Sequence, residues 1–167
     1  MKRLATTLLL TCTFASASAA PGRSEINTEA LATANAYASA IACAVSDITP
    51  TDIVALRPYT SMEDRHDAEY LVFWEGDIGC LGGSATSTFN VSSIMIATGD
   101  SYLVDLDKSS PAVGVQAGRG AKLIGHTGEK IFMETMEYAD GDANCCPSIT
   151  RRIAITRDRD GNWNESD

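Results

Sequence analysis

Cys145 and Cys146 stand side by side, and that adjacency constrains how a chain of 167 residues can be stapled more than any other feature of its sequence. A bridge between chain neighbours closes a small, strained ring. The expected pairing therefore sends each of the two to one of the distant pair, Cys43 and Cys80, in either order. Adjacent side chains on a strand face opposite sides. One cysteine can then hold a helix against a sheet through Cys43, while the other holds the loop that carries Cys80. Such long closures stabilise a fold chiefly by restricting its unfolded chain.

The even set of four depends on losing a fifth cysteine, Cys12, with an export signal. Residues 1–19 have the form of one: basic Lys2-Arg3, an apolar run from Leu4 to Ala15, then small residues up to Ala19 for cleavage. The apolar run is shorter than the roughly 20 residues that a helix needs to cross a bilayer. Leu9-Leu10-Thr11-Cys12 is a poor lipoprotein box, with threonine where a small residue belongs, so lipid anchoring at Cys12 is not expected. The expected mature chain is one exported domain, residues 20–167, periplasmic or secreted, with 20–26 as a flexible leader. Four cysteines in such a chain fit an oxidising compartment.

Acidity narrows the partner. The whole chain has 22 acidic against 13 basic residues and a formal charge of -9. Removing Lys2 and Arg3 with the signal leaves 11 basic residues and a charge of -11. Nucleic acid and anionic membranes are bound through lysine and arginine, so neither is expected as a partner. A basic or neutral protein is.

Periodicity divides the chain in two. Thr28 to Val45 is alanine-rich, with Leu31, Ala34, Ala38, Ile41 and Val45 three or four apart, which predicts an amphipathic helix with Cys43 in its last turn. Thr49-Pro50-Thr51-Asp52 has the form of a helix start, which predicts a short second helix ending before Pro58. Beyond Asp67 the period is that of strands: Tyr70–Trp74, Ser87–Ala97, Ser101–Leu106, Ala121–Gly125, Lys130–Tyr138 and Ser148–Arg157, with turn residues between them and a hairpin signal at Asp160-Gly161. The expected fold is α+β: an N-terminal helix and a short second helix packed on one antiparallel sheet of five or six strands, disulfide-stapled.

Two strings carry a resemblance. One is Gly76-Asp77-Ile78-Gly79-Cys80-Leu81-Gly82-Gly83-Ser84; the other is Gly141-Asp142-Ala143-Asn144-Cys145-Cys146-Pro147-Ser148. The second resembles the Cys-Cys-Pro-Ser ending of small uncharacterised bacterial secreted proteins and of the LppP/LprE lipoprotein family. That resemblance implies export, a cysteine-anchored sheet end and a bacterial envelope setting, and it implies no chemistry.

Candidate chemistry is sparse. Only two histidines exist, His66 and His126, which excludes a multi-histidine zinc site, and no Cys-x-x-Cys is present. No cofactor is expected. A hydrolase would have to be assembled from His126 or His66 with Ser84 or Glu75, and Ser84 lacks the surrounding Gly-x-Ser-x-Gly elbow. Asp140, Asp142 and Asn144 space their oxygens by two, as calcium loops do, although Cys145 stands where an EF-hand needs glycine. The remaining feature is an acidic surface, Glu63, Asp64, Asp67, Glu69, Glu75 and Asp77, of the kind that small exported inhibitors and immunity proteins present to a basic partner. The sequence thus favours a non-catalytic exported envelope protein that binds a partner protein. An envelope hydrolase and a structural component acting by strand pairing are the alternatives.

Overall fold

The computed structural model describes residues 23–82, 88–143 and 145–166, with side chains described from Thr28 onward. The expected export signal, Ser84 and Asn144 lie outside these residues. Among the described residues, no helix is long and apolar enough to cross a membrane.

The architecture is α+β, mostly strand, in three layers: one helix and two antiparallel sheets. Helix α1 runs Arg23–Ile41. It begins inside the expected leader, because nothing between Gly22 and Asn27 breaks a helix. It ends before Cys43, which lies instead on the short strand β1, Ala42–Cys43. Ala30, Leu31, Ala34 and Ala38 form its buried stripe, and the alanines let the helix backbone lie close to the sheet.

The expected second helix is a turn followed by a strand. Asp52 closes Thr49-Pro50-Thr51 into that turn: its Oδ2 accepts both the Thr49 amide and the Thr49 hydroxyl, each at 2.7 Å. The same cap-and-acid signal serves either structure. Here the branched Ile53-Val54 that follows leads into β2, Ile53–Arg57, paired with β3, Glu69–Ile78. Strand β3 lies between β2 and β4, Thr88–Ile96, with β1 on the β2 side, and β5, Tyr102–Val104, lies beyond β4.

The expected single sheet is split. A second meander, β6 (Arg119–Thr127), β7 (Lys130–Glu137), β8 (Ile149–Arg157) and β9 (Trp163–Ser166), packs on the face of the first. The cause lies in Ser109-Ser110-Pro111. These serines are buried, and their hydroxyls accept the backbone amides of Ser93 (2.9 Å) and Val91 (3.1 Å) on β4. Ser110 also donates its own amide to Val91 O. The serine segment thus occupies the β4 edge where a following strand would have paired, and the chain crosses into a new layer.

Strand β3 is consequently buried on both faces. Tyr70 and Val72 meet Ala30, Leu31 and Ala34 of the helix, together with Ile94 and Ile96. Leu71 and Phe73 meet Leu123, Ile131, Met133, Ile153, Ile155 and Trp163 of the second sheet. Phe73 stacks on Phe89 at 5.7 Å and meets Trp163 edge-on at 6.0 Å.

Candidate functional site

Because side chains alternate along a strand, Glu69, Glu75 and Asp77 share the parity of Leu71 and Phe73 and point between the sheets. The expected acidic surface is therefore divided: Glu69 and Asp77 are buried.

Glu69 is enclosed. Its Oε1 accepts from Arg157 Nη1 at 2.8 Å and from the Ser93 hydroxyl at 3.1 Å, and its Oε2 accepts from Arg57. Glu129, on the turn between β6 and β7, flanks both guanidiniums from outside at 3.7 and 4.0 Å. Burial pushes the Glu69 carboxyl up, but the hydrogen bond and charge of Arg157, the charge of Arg57 and the Ser93 hydroxyl outweigh it and hold it below the usual glutamate range. Arg57 comes from β2 and Arg157 from β8, so this cluster joins the two sheets. Asp77 Oδ2 accepts the Gly82 amide at 2.8 Å and shapes the turn that delivers Cys80. Gly79 takes φ +87° in that turn, a conformation that favours glycine.

Glu75 has different surroundings. It lines a cleft of about 200 Å³ with Ser46, Asp47, Asp52, Phe73 and Phe89, closed on the far side by Gly120 and Ala121 of β6. Ser46 holds the Glu75 backbone, donating its amide to Glu75 O (2.9 Å) and accepting the Glu75 amide on its hydroxyl (3.2 Å). The Glu75 carboxylate is half-buried, and burial raises its pKa above the usual value. No lysine, arginine or histidine is among the residues that line the cleft. A lining that carries acids and aromatic rings suits a basic side chain better than an anion.

The rest of the expected acidic surface lies on the loop before β3. Glu63 and Asp67 are exposed. Asp64 accepts the hydroxyls of Thr60 and Ser61, which hold its pKa low. Asp64 and Asp67 line a groove with Arg57 and Thr60.

Of the hydrolase residues, Ser84 lies outside the described residues, and His66 and Glu75 line different clefts. His66 lines a hollow with Glu69, Ser93, Asp105 and Lys108, whereas Glu75 lines the cleft just described. His126 sits near the tip of the β6–β7 hairpin, its Nδ1 3.2 Å from Gly128 O. In the calcium candidate, Asp142 Oδ2 accepts the amides of Ala139 (2.7 Å) and Ser148 (2.9 Å), and the Ser148 hydroxyl lies 3.0 Å from both oxygens. These bonds, led by the Ala139 amide, lower the Asp142 pKa and commit the carboxylate to closing its own loop. Asp140 is exposed. Among the described residues, no group of three or more His, Cys, Asp or Glu side chains is placed to hold a metal.

All four expected cysteines are in disulfides, but the pairing differs from the expectation. Cys43 bonds Cys80, and Cys145 bonds Cys146. Cys43 and Cys80 meet because β1 pairs antiparallel with the end of β3, Cys43 opposite Asp77. The turn carrying Cys145 and Cys146 joins β7 to β8, both in the other sheet, which leaves those two cysteines to each other.

Sequence reasoning missed Arg57, Arg157 and Ser93 as partners of Glu69, and Asp47 and Asp52 as neighbours of Glu75. Parity along β3 was the available signal, since acids in step with Leu71 and Phe73 must share their face. Compared with protein-family models, curated proteins and solved structures, the chain matches none.

Proposed function

We propose that this chain is an exported, non-catalytic envelope protein that holds a basic partner protein at the cleft below Glu75, in the manner of small inhibitors and immunity proteins. One observation carries the reading: a half-buried carboxylate, its pKa raised by burial, shares a cleft with Asp47, Asp52 and the stacked Phe73 and Phe89, with no cation of its own among the lining residues. An arginine or lysine side chain entering there would gain the charge of Glu75 and Asp47 and apolar contact for its stem along the aromatic lining. Asp52 is partly committed to the Thr49 turn, so Glu75 and Asp47 are the groups most free to engage. The exposed Glu63 and Asp67 would add longer-range attraction, which raises association rates and makes capture sensitive to salt. Inhibition would follow by occlusion of the partner's surface. The export signal at residues 1–19 and the resemblance around Cys145-Cys146-Pro147-Ser148 support an envelope setting.

The test is affinity capture of envelope proteins on the oxidised mature domain and, in parallel, on the Asp47→Asn/Glu75→Gln variant, with elution by a salt gradient. A basic protein retained by the native domain and lost by the variant is the expected result. The same proteins retained equally by both would remove the reading.

A further inference from the structure

The two disulfides close very different loops. Cys43 and Cys80 are 37 residues apart and tie β1 to the turn after β3, whereas Cys145 and Cys146 are adjacent. A cross-link stabilises a fold according to the freedom it removes from the unfolded chain, and that freedom grows with the loop closed. By linkage, the fold protects a disulfide from reduction by the same free energy that the disulfide lends to the fold. Cys43–Cys80 is protected in this way. Cys145–Cys146 closes almost no loop and receives almost no such protection.

The loop around it is also held by other means. Asp142 ties Ala139 to Ser148 through their amides, and Cys146 donates its amide to Ala143 O at 2.9 Å. Both cysteines of the vicinal pair are exposed, and exchange requires such access. Cys43 and Cys80 are exposed as well, which leaves the loop length as the difference between the two bridges.

We propose that Cys145–Cys146 is a thiol–disulfide exchange site that reacts with an external dithiol while Cys43–Cys80 stays closed. In the reaction, a thiolate of the dithiol attacks one sulfur of the pair, the Cys145–Cys146 bond breaks, and a mixed disulfide forms with the other cysteine leaving as thiolate. The second thiol of the reagent then resolves the mixed disulfide. The dithiol ends as a disulfide, the protein gains two thiols, and two electrons and two protons have moved. The Asp142 bracket does not involve sulfur, so the sheets keep their packing in both redox states.

The oxidised mature protein is titrated with dithiothreitol, trapped with iodoacetamide and mapped by peptide mass. Alkylation of Cys145 and Cys146 is expected at a dithiol concentration at least about tenfold below that needed for Cys43 and Cys80, with an unchanged thermal midpoint after the first step. The Cys145→Ser/Cys146→Ser variant should unfold at the native midpoint and lose the first step alone. Alkylation of Cys43 and Cys80 at the same or lower dithiol concentration would overturn the proposal. So would a mass map of the oxidised protein that joins Cys145 or Cys146 to the distant pair, or a variant that keeps the first step.

Discussion

At the start of β3, Glu69 is wrapped by two guanidiniums and a serine hydroxyl; near its far end and on the same face, Glu75 has no lysine, arginine or histidine among the residues that line its cleft. The strand geometry is the same for both, and so is the residue type. What differs is the surroundings: Arg57 of the neighbouring strand β2 reaches Glu69, and the facing layer differs as well. The second sheet brings Arg157 over Glu69 but small residues, Gly120 and Ala121, over Glu75. A buried carboxylate with its cations supplied is a structural joint. One left without them keeps its capacity for a cation brought by another molecule. The two ends are also fastened differently, the Glu69 end by charge and the Glu75 end by the Cys43–Cys80 bridge just beyond it.

The hardest test of this contrast is Glu69→Ala. It leaves Arg157, whose side chain is 15% exposed, with no buried carboxylate, and leaves Arg57 with the Asp67 carbonyl and the distant Glu129. Removing one partner from a buried ion pair costs about 3–5 kcal/mol, and a urea unfolding curve should show a loss of that size. A loss under about 1 kcal/mol would mean that Glu69 is no more a joint than an exposed pair.

Opening the other fastening should cost nearly as much. Cys43→Ser/Cys80→Ser releases a long loop, and about 3–4 kcal/mol of stability should go with it, read by thermal unfolding under non-reducing conditions. Ser93→Ala is milder. It removes one donor from Glu69 Oε1 while Arg157 remains, so about 1 kcal/mol is expected from the same curves.

Glu75→Gln has the smallest effect and the opposite sign. The native carboxyl is held above its ordinary pKa, so its ionised form opposes folding at neutral pH, and the neutral glutamine should stabilise by up to about 0.5 kcal/mol. That gain should vanish below the ordinary glutamate pKa of about 4.3, where both states of the native protein are protonated. Glu69 titrates the other way. Its folded pKa is depressed, so its contribution is present above the ordinary pKa and drains away as pH falls through the folded value. Stability curves of the two variants against pH should therefore approach the native curve from opposite sides on acidification. Parallel curves would erase the distinction between the two ends.

Much of this molecule was legible beforehand, and particular residues show why. The alternation in Lys130–Glu137 and Ile149–Arg157, and the Asp160-Gly161 turn, set β7, β8 and the last hairpin close to their expected bounds, because side-chain period and turn chemistry are local. Thr49-Pro50-Thr51-Asp52 misled because one hydrogen-bonding pattern can open a helix or close a turn, and pairing with β3 decided between them. In the candidate site, the acids and their parity were visible. Their fates were not, since the cations on Glu69 come from positions 57 and 157 of the chain.

Local sequence was enough for the N-terminal helix, for most of the strands after Asp67 with the turns between them, and for the recurrence of acids along one face of β3; it was not enough for β1 and β2, which it marked as helix. Those properties rest on interactions within a few residues. Tertiary contacts settled that the strands divide into two sheets, that Cys43 finds Cys80, that Glu69 meets two guanidiniums and that no cation is among the residues lining the cleft of Glu75. Each of these depends on which groups from distant parts of the chain meet: burial sets the energy of a charge, and the length of the loop closed sets that of a cross-link.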